Sequence, residues 1–388
     1  MDAEKTLKVD PEGFYEALVS RGLDFFSGVP DSLLKDLCAV ITERAPKERH
    51  VIAANEGNAV GMACGWHLAT GRAGMVYMQN SGEGNAVNPL MSIADPDVYS
   101  IPMLLVIGWR GEPGVKDEPQ HAKQGKVTLS LLEAMGIPFK VLDPENWEAQ
   151  LDGVLEEMRT GSRPVALVVR KGSFSKYPFN PEDNGAPLLR EEALGAILSE
   201  IGEGDLVVST TGKESRELFE LREARGEGHD ADFLTVGGMG HTSSIAMGLA
   251  LGTDRIVWCL DGDGSMIMHM GALAVAGQKA PSNLRYVVNA NGAHESVGGQ
   301  PNVGLSVDVS TILRACGFEY VREARTAVEI EGAVAAMRGE GRSALVVITR
   351  QGSRADLGRP TTTPIGNKES LMRNVGSQEA ELYEGAHI

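Results

Sequence analysis

Ten short apolar runs, each followed by a stretch with helical spacing, set the limits on what this chain can fold into. They are Phe25–Ser27, His50–Ala54, Met75–Gln79, Met103–Ile107, Val165–Val169, Leu206–Ser209, Phe233–Val236, Ile256–Leu260, Leu284–Val288 and Ala344–Ile348. A strand buried on both faces reads as a continuous apolar run, and helices between such strands make them parallel neighbours. The expected fold class is α/β, with two successive domains, each a mostly parallel sheet with helices on both faces. The length of 388 residues suits two domains.

A boundary is expected in Lys171–Leu188, KGSFSKYPFNPEDNGAPL, which is rich in Pro, Gly and polar residues and lacks a helical period. The expected division is a first domain over 1–175, a linker over 176–188, a second domain over 189–355 and a polar tail over 356–388.

The formal net charge of −17 argues against nucleic acid, whose affinity rests on Lys and Arg neutralising phosphates. It leaves room for a small anion in a local basic pocket. The cysteines Cys38, Cys64, Cys259 and Cys316 form no CxxC pair, so neither a zinc site nor a disulfide framework is expected. The polar start MDAEKTLKVD has no signal-peptide core, and no apolar run reaches about 18 residues. The expectation is a cytoplasmic protein with no membrane partner.

The segment Ile256–Ala293 is the most informative. It reads IVWCL, then DGDGS, then a helical stretch around Met268–Gln278, then LRYVVNANGA. In a right-handed βαβ unit both strands point the same way. Asp263 and Asn291 therefore meet at the carboxyl edge of the sheet, where open parallel sheets bind ligands. A carboxylate, an amide oxygen and a carbonyl are hard oxygen ligands suited to Mg²⁺ or Ca²⁺. Gly262 and Gly264 permit the tight turn.

GDG followed by about thirty residues and an Asn resembles the thiamine diphosphate motif of 2-oxo acid decarboxylases, acetolactate synthases and transketolases. The resemblance implies thiamine diphosphate and Mg²⁺ as cofactors. It implies Asp263, Asn291 and the Ala293 carbonyl as metal ligands, and Gly264 and Ser265 against the diphosphate. Spacing favours Asn291 over Asn289. After HVIAA, the segment NEGNAVGMACG resembles the family's Glu-x-Asn-Ala signature. There the glutamate, here Glu56, bonds the aminopyrimidine ring and promotes the cofactor ylid. On residues alone, Glu56 reads as complementing a helix dipole. VGGMGHTSS at Val236–Ser244 resembles the loop that bends the cofactor, with Gly237 offering a carbonyl and Met239 as the wedge. Met239 as core filler is the alternative. Thr211 and Gly212 in TTGKES precede a helix and would cradle phosphate oxygens. The resemblance further implies at least a homodimer with its sites at the subunit interface, and the chain lacks the middle domain of larger members.

Within that family, SGVPDSLLKDL, NSGEGNAVNP, GWRGEPGVKDEPQHAKQG and NGAHESVGGQP resemble the branch acting on phosphonopyruvate. The sulfopyruvate branch shares parts of the pattern. The implied reaction is decarboxylation to phosphonoacetaldehyde in phosphonate biosynthesis. Such a substrate needs cations. Arg110, Lys116, His121 and Lys123 cluster in one Gly- and Pro-rich loop, and the planar fork of Arg110 suits a phosphonate. Asp31 and Ser32 follow a strand end and would touch the 2-oxo acid, or cap a helix. His294 follows the metal loop as a proton donor, a phosphonate ligand or a structural histidine.

A nicotinamide-dependent oxidoreductase would require Gly-x-Gly-x-x-Gly, and GVPDSL, GEGNAV and GDGSMI all fail at the last position. A non-catalytic subunit would have lost the glutamate or the metal motif, and both are present. A carboligase of the acetolactate-synthase kind would carry the middle domain.

Overall fold

The computed structural model describes residues 7–376. The chain divides into two compact units, one formed by Met1–Pro181 with His294–Pro301, the other by Glu182–Ala293 with Asn302–Ile388.

The first unit holds strands β1 (Phe26–Gly28), β2 (His50–Ile52), β3 (Gly74–Gln79), β4 (Met103–Gly108), β5 (Phe139–Val141) and β6 (Pro164–Val169). Its helices are α1 (Pro11–Ser20), α2 (Lys35–Arg44), α3 (Glu56–Thr70), α4 (Glu83–Ser92), α5 (Pro119–Ala134) and α6 (Trp147–Gly161). The sheet order is β2-β1-β3-β4-β6-β5, all parallel. β4, MLLVIG, is buried throughout. Leu104 and Val106 face one apolar layer, and Met103, Leu105 and Ile107 face the other. That two-sided burial is why the strand reads as an unbroken apolar run.

The second unit holds β7 (Leu206–Ser209), β8 (Asp232–Leu234), β9 (Val257–Gly262), β10 (Leu284–Ala290), β11 (Tyr320–Ala324) and β12 (Ser343–Ile348). Its helices are α7 (Arg190–Glu200), α8 (Lys213–Arg225), α9 (Thr242–Leu251), α10 (Asp263–Met268), α11 (Gly271–Lys279), α12 (Val309–Cys316), α13 (Ala327–Arg338) and α14 (Pro364–Val375). The order is β11-β12-β10-β9-β7-β8, again all parallel. Read from its second strand, this is the order of the first unit, so one topology occurs twice. In both units the order reverses at the first strand. The carboxyl ends of β1 and β3, and of β7 and β9, therefore flank a crevice where ligands collect in such sheets.

Four expectations need correction. β5 and β11 were not anticipated, because they are short edge strands that are only partly buried and so lack a continuous apolar run. The helix expected around Met268–Gln278 is two helices, broken at His269 and Met270. The stretch after 355 is not uniformly loop, since α14 packs on the edge strand β8, with Asn367 and Leu371 buried. Its end, 377–388, lies outside the described residues. Finally, His294–Pro301 belongs with the first unit, where the Gln300 amide donates to the Lys35 carbonyl at 3.3 Å. No helix among the described residues is long and apolar enough to cross a membrane.

Candidate active site

In the first unit, Asn55 caps α3 by accepting from the Asn58 amide, which sets Glu56 as the first helical residue. Glu56 is buried, and Asn85 Nδ2 donates to its Oε2 at 2.7 Å. Gly82 lies against the other oxygen: a Cβ there would fall 2.3 Å from Oε1. Burial pushes the Glu56 carboxyl above the usual range, and the Asn85 bond opposes this.

The ends of β1, β3 and β4 bring a second group together. Arg110 donates from Nε and Nη2 to both oxygens of Asp117, at 2.7 Å through Nε, and from Nη1 to Ser32 Oγ at 2.8 Å. Asp117 also accepts from the Gly111 and Glu118 amides at 2.9 and 2.8 Å. These bonds hold its carboxyl well below the ordinary value despite partial burial. Asp31 is fully buried and engaged, accepting from Gln79 Nε2 at 2.6 Å and the Leu33 amide at 3.0 Å. Desolvation raises its pKa. A Cβ at Gly108 would lie 2.0 Å from Asp31 Oδ2, so that glycine makes room for the carboxyl.

The expected basic loop is not a basic pocket. Lys116 and Lys123 are exposed, whereas His121 is buried and burial lowers its pKa, favouring the neutral ring. Two acidic groups escaped sequence reasoning. Asp117 sits seven residues from Arg110 in the same loop, a spacing that could have suggested a pair. Glu83 opens α4, is buried with Oε1 unpartnered, and is pushed by desolvation to about 8. The isolated sequence GEG gives no sign of that burial. His294 is also buried and lowered to about 4. Its backbone closes a small loop, donating to the Gln300 carbonyl at 2.8 Å.

In the second unit, β9 pairs with β10 so that Gly262 lies beside Asn289. The next residues project from adjacent strand ends. Asp263 is buried, and its Oδ2 accepts from the Asn291 and Gly292 amides at 3.1 and 2.7 Å. Its Oδ1 accepts from the Gly264 amide at 2.7 Å and Asn302 Nδ2 at 3.0 Å. The amide of Ala293 donates to Asn291 Oδ1 at 3.0 Å, so Asp263, Asn291 and Ala293 are linked by hydrogen bonds. Asn289 instead points its amide at buried Glu214, 2.9 Å away, so the two asparagines are separated by register.

Ser265 Oγ accepts from Thr210 Oγ1 and the Gly240 amide, both at 3.1 Å. Thr211 Oγ1 accepts from the Gly237 amide at 3.0 Å, tying the loop after β7 to the glycine-rich loop. Gly212 has φ 108° and Gly237, Gly238 and Gly240 all have positive φ, backbone that other residues rarely adopt. Met239, between them, is half-buried.

Residues 11–132 match the N-terminal TPP binding domain of thiamine pyrophosphate enzymes, and residues 211–348 match the C-terminal TPP binding domain. This chain belongs to the thiamine pyrophosphate enzyme family. Phosphonopyruvate decarboxylases of Streptomyces viridochromogenes and Streptomyces hygroscopicus are each 34% identical to it over 89% of this chain, covering 90% and 89% of their own lengths. A sulfopyruvate decarboxylase of Methanosarcina acetivorans is 28% identical over 85% of this chain and 88% of its own. The chain therefore stands on the decarboxylase branch of the thiamine pyrophosphate enzymes, and thiamine diphosphate is its cofactor.

Its residues fit such a group. Gly82 lets the Glu56 carboxyl pack directly against the backbone, since a Cβ there would fall 2.3 Å from Oε1. The four named partners of the buried Asp263 carboxylate are all neutral N–H groups, so a divalent cation would supply the missing charge. Gly304 packs directly against this carboxylate, since a Cβ there would meet Asp263 Oδ2 at 2.5 Å.

Proposed function

We propose that this protein decarboxylates 3-phosphonopyruvate to phosphonoacetaldehyde and CO₂, using thiamine diphosphate and Mg²⁺. The observation that carries the substrate is the 34% identity to two phosphonopyruvate decarboxylases over nearly the whole of both chains, against 28% for a sulfopyruvate decarboxylase. The active assembly in this reading is at least a homodimer.

Asp263, Asn291 and the Ala293 carbonyl would hold Mg²⁺. Thr211, Gly212, Gly264 and Ser265 would line the diphosphate, and Gly237 and Met239 the rings. Bound thiamine diphosphate supplies the carbon nucleophile and the electron sink for decarboxylation. The remaining work falls to the chain. Asn85 fixes one oxygen of Glu56, leaving Oε1 to hold and exchange a proton with the cofactor's aminopyrimidine. The burial that raises the Glu56 pKa keeps that proton available closer to neutral pH. His294, whose neutral form burial favours, would give a hydrogen bond without bringing charge into the site. Ser32 and Arg110 would grip the phosphonate, so that a group remote from the reacting carbon orients it. Asp31, with both oxygens engaged, would position the backbone under Ser32. His121 and Lys116 would stand at the margin of this grip.

The test is CO₂ release from phosphonopyruvate, sulfopyruvate and pyruvate, each with and without thiamine diphosphate and Mg²⁺. Cofactor-dependent turnover highest with phosphonopyruvate is the expected result. A preference for sulfopyruvate would keep the chemistry and overturn the substrate.

A further inference from the structure

The guanidinium assigned to the substrate's remote anion already holds one. Both of its parallel N–H donors go to the Asp117 carboxylate, and the Gly111 amide adds a third bond to that group. The third arm of Arg110 reaches Ser32. With the Glu118 amide as a further donor, this is a geometry with which a protein binds a carboxylate or phosphonate: a planar fork and backbone N–H groups. Side-chain exposure of 18% for Arg110 and 12% for Asp117 makes it a sheltered pair. The segment between Gly111 and Asp117 is exposed along its middle. Pro113, Gly114, Val115 and Lys116 are exposed, and Gly111 and Gly114 have φ of 69° and 85°.

We propose that Asp117 is a built-in stand-in for the substrate's anion, which occupies the Arg110 fork and must be displaced before phosphonopyruvate can bind. This rests on the reading of Arg110 as the phosphonate contact. The displaced form is a minor population, so every anion pays one common factor in apparent affinity. Ligands with a single weakly held charge then fail to bind at working concentrations, whereas a dianion clears the threshold. Asp117 in this role raises the affinity threshold and leaves intact the ratio between two anions that each displace it.

Calorimetric binding of phosphonoacetate and sulfoacetate tests this on the full chain, since neither has the 2-oxo group and neither reacts. Asp117→Asn should tighten both by the same factor, roughly ten-fold or more. Asp117→Glu, which keeps the charge, should not tighten either, and Arg110→Gln should lose both. If phosphonoacetate gains much more than sulfoacetate in Asp117→Asn, then Asp117 stays in place and acts by charge repulsion, which overturns displacement. Binding unchanged or weakened in Asp117→Asn at an unaltered denaturation midpoint also overturns it, as does wild-type binding in Arg110→Gln. The CO₂ assay fails separately. Turnover of phosphonopyruvate with no effect at Asp117 sinks this inference alone, while tightened probe binding without turnover sinks the substrate and leaves the anion site.

Discussion

At the scale of single residues, the site depends on carboxyls held in unlike environments. Glu56 has one oxygen fixed by Asn85 and the other packed against Gly82, so its carboxyl is held in one orientation. Glu56→Gln keeps the shape and removes the exchangeable proton. Turnover should fall roughly a hundred-fold or more, while thiamine diphosphate still binds in a fluorescence titration. Wild-type turnover in that variant would remove Glu56 from the chemistry. Asp263 acts differently, because its partners are neutral amides and the role proposed for it is electrostatic. Asp263→Ala should sharply raise the Mg²⁺ and cofactor concentrations needed for half-maximal activity, and unchanged requirements would exclude it as a ligand. Asp263, Asn291 and Glu56 could be singled out in the sequence because they fall in motifs that resemble those of the thiamine enzymes, at strand ends and a helix start. Asp117 could not be weighed in the same way. Whether an Arg in a loop is free or paired depends on how that loop closes.

At the scale of elements, the central strands were legible and the edges were not. β4 and β10 are apolar along their length because both faces are covered, whereas β5 and β11 have one residue in two or three facing solvent. The tail illustrates the same limit. α14 seats on the edge of the second sheet, and one of its side chains pairs with the strand backbone. Asn367 Oδ1 accepts from the Leu234 amide at 3.0 Å, and its Nδ2 donates to the Asp232 carbonyl at 2.8 Å. A side-chain amide thus pairs with β8 as a neighbouring strand would, protecting an edge that would otherwise present open backbone groups. Nothing in a polar segment such as TTTPIGNKES signals this, since the partner is over a hundred residues away. Asn367→Ala leaves two buried backbone groups without partners, at about 1–3 kcal/mol each. The urea midpoint should fall with little change in slope. An unchanged midpoint would mean that α14 does not protect this edge.

At the scale of the whole molecule, one strand order used twice explains why the chemistry-bearing residues collect at carboxyl strand ends in both units. It also buries acids behind them. Glu83 in the first unit and Glu214 in the second are each pushed to about 8 by desolvation, from an ordinary value of 4.5. Folded protein therefore keeps protons that the unfolded chain has released. The stability these groups contribute is complete below about pH 4.5 and is lost as the pH climbs towards about 8, above which both states are ionised and the loss is constant. Self-repulsion from the net charge of −17 acts in the same direction, so the pH slope alone would not identify its source. The Glu83→Gln, Glu214→Gln double variant separates the two, because it removes the buried ionisations and changes the overall charge little. Its unfolding free energy, measured by denaturant titration on the cofactor-free protein between about pH 5 and 8, should be flatter than that of the wild type, with the advantage growing towards pH 8. Parallel curves would mean that these glutamates ionise in the folded protein much as they do in the unfolded chain, leaving general charge repulsion as the origin of the slope.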